Sequence, residues 1–314
     1  MAQEPTSDVV LAITASPSFA EDGACFAARH SGLYRSIDGG RSWQFAYQSL
    51  RLTETLVTQA VAISPDFVHD RTVLAGVNGG ILRSVDGGKR WLVYRLPTPP
   101  PVVTSLAFSP DYMKDGIALC GTMEDGVFCS TDRGTRWTAW NFGLLDLHVL
   151  CLAISPAFAR DTTVFVGTDS GIYRSKNGGR AWRAVSFPME SAPVISLSLS
   201  PAFADDGTLY AGTENGGLYT STDGGKNWTI VTQFDDPVNQ IVLGSDWQRK
   251  PEVLLLVGPS LQHSRNAGQT WKKRRIRLPI KDDLICLAAP LGVSRSCPLI
   301  IGTVNAGVLL ISPD

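Results

Sequence analysis

The chain has 314 residues, 44% of them hydrophobic, with 28 Lys and Arg against 29 Asp and Glu, a net charge of −1 and a sequence pI near 6.4. That balance argues against a broad basic footprint for nucleic acid or acidic membranes, and the one strongly basic run, KKRR at 272–275, reads as a solvated outer edge. No apolar stretch reaches the ~18 residues of a membrane-spanning helix, so membrane insertion is not expected.

Residues 1–8 read as an N-terminal tail. They lack the basic segment and apolar stretch of a signal peptide, so a cytoplasmic chain is expected. Residues 9–314 read as a single domain. Its first β-rich run, VVLAIT at 9–14, leads to SIDGGRSW at 36–43. The same frame returns as SVDGGKRW (84–91), STDRGTRW (130–137), SKNGGRAW (175–182), STDGGKNW (221–228) and SRNAGQTW (264–271). First serines are separated by 48, 46, 45, 46 and 43 residues, and six of the eight tryptophans sit in the frame. A fixed period of this size marks a repeat architecture.

Within one repeat, residues 149–182, VLCLAIS ends at Ser-Pro, TTVFVGT follows, Asp-Ser-Gly turns into IYRS, and KNGG turns into AWRAVSF. Four short strands separated by turn residues predict an antiparallel meander. Apolar runs without alternation predict sheets buried on both faces. Four-stranded sheets repeated at ~45 residues predict an all-β fold, a β-propeller in preference to a solenoid. Six frames make six full blades. A seventh starts at LICLAAP (284–290), runs through LIIGT (299–303) and stops after GVLLI (307–311), predicting seven blades with a three-stranded last one. Residues 1–8 are too few for a missing outer strand, so closure should come from packing of Leu284–Ala289 against Val9–Thr14.

The turn has its own chemistry. The Asp or Asn accepts amides of its own turn, the Ser hydroxyl adds to this, and glycine supplies positive φ. The Trp then wedges its ring between sheets, fastening each outer hairpin. A catalytic role for Asp38, Asp86, Asp132 and Asp223 is the weaker reading, since function seldom repeats in every unit of a fold.

Ser-x-Asp-x-Gly-x-x-Trp resembles the Asp-box, or BNR, repeat over nearly the whole chain. The resemblance implies a propeller related to sialidases, xyloglucan-degrading glycosidases, the sortilin ectodomain and photosystem II assembly factors. Arg35, Arg83, Arg174, Arg41, Arg136 and Arg180 recur at matching repeat positions, unlike the convergent arginine triad of sialidases. One propeller lacks the two-propeller cleft of the xyloglucanases. The single seven-bladed assembly-factor type is the nearest match, although that group is usually exported to a lumen.

In such a meander, the first-to-second-strand loops share a face with the box turns. Phe19, Phe67, Tyr112, Phe158 and Phe203 recur there in register and read as packing residues. The opposite face carries the irregular loops, where binding usually resides. The candidate site therefore comprises His148, Asn239, Gln240 and Asp283 at the channel mouth. Arg29, His30, Asn78, Glu124, Asp125, Asp169, Glu214 and Asn305 rim it, with Arg29 and His30 facing an acidic arc of blades three to five. The predicted function is a non-catalytic scaffold, a monomer holding a protein, peptide or small polar ligand. The alternative is a glycosidase or lyase using the carboxylates Glu124, Asp125, Asp169 and Glu214 with a histidine. No nucleotide, hydrolase or zinc motif is present, so no cofactor or metal is expected. Cys25, Cys120, Cys129, Cys151, Cys286 and Cys297 lie mostly in apolar runs without C-x-x-C spacing and read as free thiols.

Overall fold

The computed structural model describes residues 8–97, 100–188, 193–276 and 282–312. Seven antiparallel sheets form, each a meander in chain order: six have four strands and the last, Leu284–Ala288, Leu299–Thr303 and Val308–Ile311, has three. The first strand of every sheet packs beside the first strand of the next, and Leu284–Ala288 packs beside Val10–Ala15, closing the ring. The protein is thus a seven-bladed β-propeller with a three-stranded last blade. The proposal that residues 2–7 add no outer strand to blade 7 lies outside the described residues.

Burial follows position in the blade. Second strands such as Val73–Val77, Val164–Thr168 and Leu299–Thr303 are buried throughout, whereas first strands such as Val10–Ala15 and Val149–Ile154 are buried at their opening residue and partly accessible beyond it. Register shifts one residue into the first strands, as between Val10 and Ala12 and between Val238 and Gln240, mark a bulge that re-aims the strand start.

One close contact explains how the blades meet. A Cβ on Gly212 would lie 2.6 Å from Val238 Cγ1, and one on Gly121 would lie 2.6 Å from Val149 Cγ1; Gly167 and Gly76 face Val194 and Val103 in the same way. Each glycine sits in a second strand, and each valine opens the first strand of the next blade, so only a missing side chain lets the sheets approach. The closing junction uses the same seam: Gly302 faces Val10 Cγ1 at 2.6 Å, and Cys286 donates its thiol to the Val10 carbonyl at 3.4 Å. Closure by packing is therefore the same contact as between successive blades.

The box turns close as their residue types require. Ser36 Oγ receives the Gly40 amide at 2.9 Å and donates to Asp38 Oδ1 at 2.7 Å, while Asp38 Oδ1 accepts the amides of Arg41 and Ser42. The hydroxyl and then the amide of Ser42 hold the Asp38 carboxyl far below the ordinary carboxylate range. Asn177 and Asn266 accept the equivalent amides without a charge. Arg133 and Ala267 take, at φ 65° and 53°, the left-handed position that glycine fills in the other boxes.

The tryptophan prediction holds with a gradation. Trp91, Trp182 and Trp228 are buried, whereas Trp43, Trp137 and Trp271 are partly buried. Trp91 packs edge-on against Tyr47 of the preceding blade at 5.4 Å and donates to the Ala46 carbonyl; Trp182 donates to the Trp140 carbonyl at 2.7 Å. The fastener therefore ties one blade to the outer edge of the blade before it.

A second repeated device lies on the same face. One-turn helices bury Phe19, Phe67, Tyr112, Phe158 and Phe203, as expected. An Asp six residues after the opening Ser binds that hydroxyl, as Asp22 binds Ser16 at 2.7 Å and Asp206 binds Ser200 at 2.7 Å. All six cysteines are free, and register explains the one adjacent pair: Cys120 pairs with Phe128 and Cys129 with Leu119.

Candidate functional site

On the face opposite the box turns, the loop 141–148 joins the tips of blades 3 and 4. Asn141 Oδ1 accepts the Val127 amide and its Nδ2 donates to the Asp125 carbonyl, each at 2.8 Å, and the Gly126 amide donates to the Leu147 carbonyl at 3.0 Å. The Trp182 amide donates to the Phe142 carbonyl at 2.8 Å. On the blade 4 side, Asp146 accepts the Ser170 amide at 2.8 Å through one oxygen and the His148 amide at 3.0 Å through the other. His148 Nδ1 meets Asp169 Oδ2 at 2.8 Å, both side chains being half exposed.

These bonds order a loop that presents apolar side chains outward. Phe142 is 82% exposed and Leu145 is 86% exposed, with Met123 partly exposed on the neighbouring tip. The same loop and the two hairpin tips it joins carry the carboxylates of Glu124, Asp125, Asp146 and Asp169. The Asp169 hydrogen bond raises the His148 pKa above its ordinary value, and the charges of Asp169, Asp146 and Glu124 act in the same direction. Partial burial works against ionisation of Asp146, but the Ser170 and His148 hydrogen bonds outweigh it and hold its carboxyl low. The site is acidic, and His148 is the imidazole within it, shifted toward its charged form by these neighbours.

The other candidates fare differently. Arg29 does not stand free at the mouth: its guanidinium lies over the Tyr34 ring at 4.3 Å and pairs with Asp8 at 3.4 Å, leaving the side chain 14% exposed. The reason is desolvation, since a long cation on a crowded hairpin gains more from a ring and a carboxylate than from open water. Gln240, partly exposed on its first strand, bridges two blades. Its Nε2 donates to the Leu287 carbonyl and its Oε1 accepts the Leu287 amide, each at 2.8 Å, binding blade 6 to blade 7. Asn305 gives its amide to Asp282, and Asp283 gives its carbonyl to the Val304 amide. His148 and Asp283 stand just before the first strands, not within them. Asn239 is the partly buried bulge residue of its strand, and His30, Asn78 and Glu214 are exposed.

Sequence reasoning passed over Asp8, Asp146 and Asp282, which do one job. Asp8 accepts the Ser31 amide, Asp146 that of Ser170, and Asp282 those of Asn305 and Ala306. The signal was present: a carboxylate recurs two or three residues before a first strand.

No family model and no curated protein matches the chain. Among solved structures, it is similar to YCF48 bound to D1 peptide, with 19% identity, a TM-score of 0.71 and coverage of 100% of this chain and 96% of that one. It is similar to the GH74 enzyme of Niastella koreensis, at 17% identity and a TM-score of 0.74, over 97% of this chain and 52% of the enzyme. The extracellular domain of BT4673 from B. thetaiotaomicron matches at 16% identity and a TM-score of 0.71, over 99% of this chain but 39% of that one. The chain thus spans about half or less of the latter two. At these identities the likeness is one of fold.

Proposed function

We propose that this propeller is a non-catalytic scaffold that holds a protein or peptide segment on the hairpin-tip face, centred on the junction of blades 3 and 4. The observation that carries this reading is the bonded 141–148 loop, which displays Phe142 and Leu145 at a junction that also carries Glu124, Asp125, Asp146 and Asp169. Exposed apolar groups rimmed by charge mark interaction sites, and buried aromatic and aliphatic anchors supply most binding energy. The complementary partner is a segment with large apolar side chains beside Lys or Arg. The YCF48 structure with a peptide bound supports the reading by analogy of fold. The six turns are taken as Asp boxes, and free thiols at every cysteine support a reducing, cytoplasmic setting.

The enzymatic alternative has the GH74 likeness behind it. On the hairpin-tip face, however, the Asp169 carboxylate is engaged with His148.

The test is selection from a random displayed peptide library. Binders should pair Lys or Arg with large apolar residues, and should lose tenfold or more in affinity, about 1.4 kcal/mol, against both Phe142→Ser/Leu145→Ser and Glu124→Lys/Asp169→Lys. Melting should be unchanged. Binders indifferent to both pairs, yet lost with Lys226→Glu on the box-turn face, would place the site on the wrong side of the disc.

A further inference from the structure

Blade 4 departs from the repeat at the box turn that flanks the 141–148 loop. In blades 1, 2 and 5 the residue three past the box Asp is a cation, Arg41, Lys89 or Lys226, and the carboxylate of Asp38, Asp86 or Asp223 accepts its amide. Blade 4 keeps the cation as Arg180, but its box residue is the uncharged Asn177. Arg41 donates its guanidinium back to the Asp38 carbonyl at 2.7 Å, whereas the Arg180 guanidinium lies over the Trp140 ring of blade 3 at 5.3 Å. That ring is a second departure. The matching residues, whose amides close on the third strand in the same way, are Ala46 in blade 1 and Val185 in blade 4.

The two segments run side by side. Trp182 Nε1 donates to the Trp140 carbonyl at 2.7 Å, the Trp182 amide donates to the Phe142 carbonyl at 2.8 Å, and a Cβ on Gly143 would collide with the Trp182 carbonyl. Arg180 is thereby held at the Trp140 end of the loop, and the Asp146 carboxylate, bonded to the Ser170 amide, at the other. Phe142 and Leu145 stand between them in the chain, 82% and 86% exposed. No carboxylate pairs with Arg180 among the described residues. Asp115, which shares Cys129 with it as a neighbour, is taken up by the Ser109 hydroxyl and the Ile117 amide. A guanidinium laid on a ring keeps its N–H edge free, and that planar fork suits a carboxylate.

We infer that the junction of blades 3 and 4 takes a peptide segment with opposite charges at its two ends. Lys or Arg lies over Glu124, Asp125, Asp146 and Asp169, large apolar side chains lie on Phe142 and Leu145, and an Asp or Glu side chain meets the Arg180 fork. This partner is a narrower form of the peptide proposed above and rests on that reading. Six residues of chain separate Trp140 from Asp146, at most about 20 Å when extended, so the opposite charges of an extended partner lie about four to six residues apart. A basic segment without the acid gains the tip contacts alone, and a wholly acidic one is repelled there.

The experiment repeats the random-library selection on the unaltered full chain and on Arg180→Glu. Binders of the unaltered chain should carry Asp or Glu about four to six residues from their Lys or Arg. Against Arg180→Glu, a second Lys or Arg should take that place, while sensitivity to Phe142→Ser/Leu145→Ser persists. For one such binder, replacing the acid by its amide should weaken binding to the unaltered chain about threefold or more and leave binding to Arg180→Gln unchanged. Arg180 is exposed, so melting should not move in either variant. Binders that need Phe142 and Leu145 but show no acidic preference, or keep the same preference against Arg180→Glu, would overturn the two-ended partner and leave the peptide site standing. Recovery of no binder sensitive to Phe142→Ser/Leu145→Ser would overturn both.

Discussion

Trp182→Ala tests the idea that box tryptophans tie each blade to the one before. The side chain is 2% exposed, packs in one cluster with Leu144 and Tyr173, and donates its indole N–H to the Trp140 carbonyl of blade 3. Truncation removes a 150–250 Å² apolar surface, leaves a cavity and orphans that carbonyl, for a loss of about 3–5 kcal/mol. An unfolding entropy of ~2.1 cal/mol/K per residue amounts to ~0.65 kcal/mol/K for this chain, so the melting temperature should fall by about 5–8 °C. Trp182→Phe keeps most of the ring but forfeits the hydrogen bond, and should cost about 1–3 kcal/mol. Trp43→Ala, at a partly buried box, should cost less than Trp182→Ala. Calorimetry of the three variants checks the order. Unchanged melting for Trp182→Ala, or a larger drop for Trp43→Ala, would refute the reasoning.

Two other outcomes follow from contacts already described. Gly302→Ala forces a Cβ to 2.6 Å from Val10 and Cys286 at the closing seam and should cost about 1–3 kcal/mol, with faster amide exchange in Val10–Ala15. Gly224→Ala meets nothing within 4 Å and carries only its positive-φ penalty of ~1 kcal/mol, so equal losses at the two sites would count against the seam. His148 should titrate above the usual histidine value of about 6.5, and Asp169→Asn should bring it down. Because its folded pKa is raised, the pair's stabilisation is complete below the unfolded value and lost as pH rises through the folded one. A His148 titration unmoved by Asp169→Asn would show that the 2.8 Å contact does not form in solution.

The seven blades, the missing last strand and the place of ring closure were legible in the sequence because each depends on local chemistry repeated at one spacing. A Ser-x-Asp turn forms its bonds within five residues, as Ser36 and Asp38 do with Gly40, Arg41 and Ser42, so its presence announces itself without tertiary context. The choice of a candidate face rests on irregular loops set against regular ones, and the fate of single side chains on it was not legible. Arg29 and Gln240 read as polar groups at an opening, yet one is drawn onto Tyr34 and Asp8 and the other onto the backbone of Leu287. The partners that capture them lie on other strands or in the next blade, and a polar group goes wherever its desolvation is best repaid. Asp146 and His148 meet Asp169 and Ser170 only when the loop 141–148 folds over the tip of blade 4, a contact across more than twenty residues of chain. Those are contacts between segments far apart in the chain, and a stretch read by itself carries no record of what a distant one brings.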